Sequence, residues 1–148
     1  MAERMPAKTV AETVADNVRG FRQLRGIDQA VLARRMELLG ISWRQVTVSE
    51  VEREHRNVTV PELLALAVAL GTTIEQLLDP RGPERIRGPW LSLSGALEVD
   101  LDNRGPVDAI PAERVSSLVC THGEYPVIEW DDKNSEVKIF NWVEPRVR

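Results

Sequence analysis

The feature that most constrains this chain is a repeated punctuation between Val10 and Leu78, where short apolar stripes of helical period are each closed by a stop signal. Val14, Val18, Phe21 and Leu24 follow an i, i+4, i+7 rhythm that ends at Gly26, a helix-terminating glycine. Asp28 then stands at an N-cap position, followed by Val31, Leu32, Arg35-Met36 and Leu39 on one face, with Gly40 as the stop. After Ile41 and Ser42, the latter a second capping candidate, a short helix from about Arg44 to Arg53 turns Val48 and Val51 inward, with Val46 left undecided. Thr59 followed by Glu62 is a capping box, and Pro61 fits the first turn because its missing N–H has no helical partner there. Leu63, Leu64, Leu66, Ala67 and Leu70 make a strongly apolar fourth helix ending at Gly71, and Thr73 with Gln76 opens a fifth, Ile74–Leu78. Five short helices joined by tight turns predict an all-helical domain over residues 1–79.

Pro80-Arg81-Gly82-Pro83 and Gly88-Pro89 break that pattern, so residues 80–89 read as a linker. Beyond it the period changes to two. Leu91–Ser94 and Leu97, Val99, Leu101 alternate with polar residues before the turn Asp102-Asn103-Arg104-Gly105, which predicts a hairpin. Ala112–Val119 suits one short helix. Val127–Trp130 and Val137–Trp142, apolar and β-branched runs on either side of Asp131–Ser135, predict a second hairpin. Trp90, Trp130, Phe140 and Trp142 supply the bulk for a folded core. The expected class is α+β: a five-helix domain followed by a small strand-rich unit over 90–148, serving dimerisation or sensing.

The 148 residues suffice for one ordinary domain or two small ones. No apolar run approaches the roughly 18 residues of a membrane span, and the charged N-terminal segment has no signal-type apolar core, so a cytoplasmic location is expected. A single cysteine, Cys120, excludes an internal disulfide, and no Cys/His spacing fits a structural zinc site. The net charge of −4 runs against the basic excess common in nucleic-acid binders. The helical half is nearly neutral, however, with 10 basic against 11 acidic residues over 1–79, so what matters is whether arginines gather on one face.

Direct reading of duplex DNA needs a helix that enters the major groove carrying side chains with paired donors and acceptors. In the third helix Arg44, Gln45, Thr47, Ser49 and Glu50 lie opposite Val48 and Val51. Gln can bond adenine N6/N7, Arg can bond guanine O6/N7, and Ser or Thr can serve a base or a phosphate. By spacing alone the same residues equally describe the solvated face of an amphipathic helix.

Over residues 14–79 the chain resembles the XRE family, the helix-turn-helix proteins related to the Cro and cI phage repressors. The matching residues are Arg22, Gly26-Ile27-Asp28-Gln29 and Leu32-Ala33, then Val48-Ser49 with Val51-Glu52-Arg53, and finally Glu62-Leu63-Leu64 with Leu66-Ala67 and Leu70-Gly71. The resemblance implies that Gln29 contacts a phosphate and braces the first residues of the recognition helix. It implies that Gln45 reads a base, flanked by Arg44 and Ser49, and that Arg56 sits in a loop presenting backbone donors to phosphate. Arg22 and Glu52 match a structural ion pair between the first and third helices.

Two departures stand out. Met36–Trp43 replaces a turn about five residues shorter, so the second helix is expected to be longer and the register of Arg44 and Gln45 can slip by one or two. Glu54 replaces the glycine that usually ends the third helix. Glu50 either accepts a bond from cytosine N4 or repels phosphate. Trp43 is either a core plug or a backbone contact through its indole N–H, with burial favoured because a large aromatic gains most from it.

Catalysis is not expected. The C-terminal segment has serines but only Lys133 and Lys138 as lysine bases, and Cys120 with His122 offers two ligands, too few to hold a metal. No cofactor or metal is expected, and Cys120 reads as a small apolar residue. The expected function is a sequence-specific regulator, a repressor, binding double-stranded DNA at a two-fold operator as a homodimer, with a protein or small-molecule effector left open at the C-terminal unit. The alternative is an antitoxin-type interaction module that neutralises a partner protein and autoregulates its operon.

Overall fold

Polar caps and apolar stripes set five helices in the computed structural model, which describes residues 4–84, 90–93, 98–100, 109–112 and 127–140. They are α1 (Val10–Leu24), α2 (Gln29–Leu38), α3 (Gln45–Glu52), α4 (Val60–Leu70) and α5 (Ile74–Leu77). Thr9 caps α1 in a reciprocal box with Glu12. Asp28 accepts the Val31 N–H at 2.8 Å, and Thr73 shares a box with Gln76. Each such cap satisfies a backbone donor the helix leaves open and contributes about 1 kcal/mol. Ser42 caps nothing; it lies exposed in the turn, and Arg44 is the N-cap residue of α3. Thr59 accepts the Glu62 N–H at 3.3 Å, but the box stays half-formed because the Glu62 carboxylate turns to Arg56.

Gly40, at φ 87°, ends α2 in the left-handed region. Glu54 makes the same bend at the end of α3 with φ 62°, closing the motif through His55 N–H to Glu50 C=O at 2.8 Å. The enlarged turn is six residues of coil, not a longer second helix, and Trp43 with half-buried Ile41 pins it to the core. The core joins Val18 and Phe21 of α1, Leu32 and Met36 of α2, Val48 and Val51 of α3, Leu66 and Leu70 of α4, and Leu77 of α5. Each of these large side chains stabilises the fold by about 1.5–3 kcal/mol through burial. Arg25 reaches from the end of α1 to the Leu70 and Gly71 carbonyls at 2.9 and 2.7 Å, supplying donors for the end of α4.

Among the described residues the helices are accompanied by strands β1 (Arg4–Thr9), β2 (Trp90–Ser92), β3 (Glu98–Asp100), β4 (Ala109–Pro111), β5 (Val127–Asp131) and β6 (Glu136–Phe140). The first four form one sheet in the order β3-β1-β2-β4. β1 carries no strand pattern in its sequence, which by itself assigns residues 4–9 to the helical half. Its last residues pair with β2 in parallel, Ala7 opposite Trp90 and Thr9 opposite Ser92, and its first residues pair with β3 antiparallel, Arg4 opposite Asp100. The expected hairpin between Leu91–Ser94 and Leu97–Leu101 is therefore replaced: β1 lies between β2 and β3, so the two never meet. A parallel pair needs a long crossover, and here all five helices form it.

Residues 80–84, read as the start of a linker, pack on α1 instead. Pro80 is fully buried, and Pro83 lies where a side chain on Gly20 would collide with its ring at 2.9 Å. Asn17 donates to the Leu77 and Asp79 carbonyls at 2.8 and 2.9 Å, which ties this segment to α1. The turn 102–105, the segment 113–119, and Cys120, His122 and Trp142 lie outside the described residues.

β5 and β6 form the expected antiparallel hairpin, Val127 opposite Phe140 and Asp131 opposite Glu136. It packs on the helical domain. Trp130 sits partly buried against the helical core with the Arg35 guanidinium 5.0 Å from its ring centre. Arg35 grips Asp132 through Nε at 3.0 Å and Nη2 at 2.8 Å, and its Nη1 donates to the Ala69 carbonyl at 2.9 Å. The Asp132 carboxyl is held below its usual range, first by these hydrogen bonds and then by the Arg35 charge, against an opposing effect of burial.

Candidate nucleic-acid interface

The phase of α3 follows from which residues it buries. Val48 and Val51 are 0% and 2% exposed, so at about 100° per residue the outward arc holds Gln45, Ser49, Arg53, Val46 and Glu50 in that angular neighbourhood. Arg44, Gln45, Val46 and Arg53 are exposed, while Ser49 and Glu50 are half-buried. With its side chains a helix such as α3 is about 10–12 Å across, which matches the width of the major groove.

Thr47 departs from the expected set of DNA contacts. It lies on the flank nearest the buried residues, and its hydroxyl accepts the Arg44 N–H at 3.3 Å, so its oxygen serves the start of the helix. Two residues on the outward arc were not singled out from sequence. Val46, 57% exposed, offers methyl groups of the kind that contact thymine, and Arg53 lies one turn beyond Ser49. The phase set by Val48 and Val51 was the available signal for both; valine's apolarity and Arg53's place at the helix end obscured it.

The inner flank of α3 is clamped. Arg22 on α1 donates to Glu52 through Nε at 2.5 Å and Nη2 at 3.3 Å, and through Nη1 to the Ile27 carbonyl at 3.0 Å. The side chains of this pair are only 13% and 5% exposed. Gln29 donates its amide to Glu52 at 2.8 Å. Gln29 therefore braces the last residue of α3 rather than its first ones.

Arg56 is also engaged within the chain. Its guanidinium donates to the two Glu62 oxygens at 2.6 and 3.3 Å and lies 5.4 Å from the centre of the Trp43 ring. Burial alone would raise the Glu62 pKa, but hydrogen bonds from Arg56 and Thr59 and the Arg56 charge hold it below the ordinary 4.5. The Arg56 side chain is thus engaged within the chain while keeping part of its surface open. Trp43 is a core residue, 6% exposed, with its indole N–H turned towards the Glu62 carboxylate. Among the described residues no group of three or more His, Cys, Asp or Glu side chains could hold a metal ion. No helix among them is long and apolar enough to cross a membrane.

Comparison with known proteins bears on the same helices. The Helix-turn-helix family model matches residues 18–77, from within α1 to the end of α5. Control protein C.SmaI of Serratia marcescens is 35% identical over 79 residues, which cover 53% of this chain and 88% of that protein. A solved structure, the hypothetical transcription factor NHTF from Neisseria, is 35% identical with 47% of this chain and 74% of that chain covered, at a TM-score of 0.41. With nearly the whole of a control protein aligned at this identity and the family match lying on α1–α5, the chain belongs to the XRE family of helix-turn-helix DNA-binding regulators.

Proposed function

We propose that the protein is a transcriptional regulator, a repressor, that binds a two-fold operator as a homodimer with α3 in the major groove. The carrying observation is the division of α3: its inner flank is held by Val48, Val51 and the Arg22–Glu52–Gln29 cluster, leaving Gln45, Val46, Ser49 and Arg53 outward on a rigid support. In this reading Gln45 reads a base with Arg44 and Ser49 beside it. Val46 contacts a thymine methyl, and Glu50 lies at the edge of the arc. The C-terminal unit joins the protomers or takes an effector, and the protein acts in the cytoplasm. As a DNA-binding regulator the chain performs no chemistry on its ligand.

The test is selection of bound sequences from a random duplex library with the full chain. The selected site should be a palindrome with half-sites about 10 base pairs apart or a multiple of that, matching two heads on one face of the duplex. Gln45→Ala should relax one position in each half-site at a cost of about 1–3 kcal/mol, without changing the melting temperature. No enrichment of any sequence would overturn the reading. An unchanged site with Gln45→Ala would move base reading to other residues of the arc.

A further inference from the structure

The tip of the β5–β6 hairpin does more than cover α2. Asp132 is gripped by Arg35, and Ser135 accepts a hydrogen bond from Arg34 Nε at 2.5 Å, so the turn is fastened to two consecutive residues of α2. The turn is also stiff in itself. The Asp131 carboxylate accepts the Lys133 and Asn134 N–H groups, both at 3.1 Å, and the Asn134 side-chain amide at 2.8 Å. Arg34 lines the cleft between α2 and the start of α3 together with Arg44 and Gln45. The hairpin tip is thereby anchored on Arg34, which shares this cleft with the start of α3, and Lys133 and Asn134 are exposed on the tip.

We propose that this tip is a second DNA contact: Lys133 and Asn134, with Arg34 held by Ser135, meet the phosphate backbone flanking the groove that α3 enters. The inference rests on the DNA-binding reading above. The charges around the tip allow it. Asp132 is neutralised by Arg35, Asp131 is taken up by the turn's own donors, and Asp28 caps α2. Lys133 and Arg34 form no ion pair among the described residues, leaving their charges for phosphate. Glu37, exposed in the same cleft, and Glu136, exposed at the base of the turn, oppose them. A contact of this kind carries no base information and adds affinity uniformly across sequences.

The test measures binding of the full chain to its selected duplex across a salt series. Each lost phosphate contact lowers the slope of log K against log salt by about 0.9, equivalent to about eightfold in affinity at 0.1 M relative to 1 M salt. Lys133→Ala and Arg34→Ala should each show that loss, with the selected sequence and, for exposed Lys133, the melting temperature unchanged. Glu37→Gln should tighten binding. Hydroxyl-radical footprints should lose protection outside the α3 half-site in Lys133→Ala. An unchanged slope and footprint in Lys133→Ala, while Gln45→Ala still alters the selected site, would overturn the hairpin contact and leave the α3 reading standing. Absence of DNA binding by the parent chain would overturn both.

Discussion

Removal of Glu52 tests the clamp that sets the angle of α3. Its carboxylate accepts three hydrogen bonds, two from Arg22 and one from Gln29, and its side chain is 5% exposed. In Glu52→Ala the Arg22 guanidinium keeps only the Ile27 carbonyl in a site nearly closed to water. Stranding a buried charge costs about 3–5 kcal/mol, which for a chain of this size lowers the melting temperature by roughly 6–20 °C. Arg22→Ala strands Glu52 with Gln29 as its remaining partner, at a cost in the same range. The double variant removes both charges together, so its loss should fall short of the sum of the single losses by about 1–3 kcal/mol. Urea melts of the parent and three variants without DNA give the cycle directly. Additive losses, or single losses below about 0.5 kcal/mol, would show that the pair is solvated and that Arg22 is free for another role.

Glu54→Gly should stabilise the chain by about 1 kcal/mol, since φ 62° strains any residue with a Cβ, and a rise in the urea midpoint would show it. Stability should also depend on acid. The Glu62 and Asp132 pKa values are lowered in the folded state, so both contributions are intact above their unfolded values near 4.5 and 3.8 and are lost as pH falls through the lower folded values. Melting temperature against pH should therefore drop in that window, and Glu62→Gln should flatten the drop; a profile unaffected by the substitution would remove Glu62 from the account.

The sequence alone determined the helical half, because its signals are local. Caps such as Asp28 and Thr73, stripes such as Val14-Val18-Phe21, and stops such as Gly40 and Gly71 each depend on neighbours within one or two turns. The Arg22–Glu52 spacing was legible only through resemblance to a family, since nothing in a separation of 30 residues says that two charges meet. Tertiary structure decided the rest. Strand β1 has no pattern of its own and exists because β2 and β3 arrive on either side of it from far along the chain. Gln29 turned to Glu52, Arg56 to Glu62, and Arg35 to Asp132, each settling on the carboxylate that folding brought within reach. A long polar side chain has many rotamers of similar energy, and only the packed neighbours choose among them.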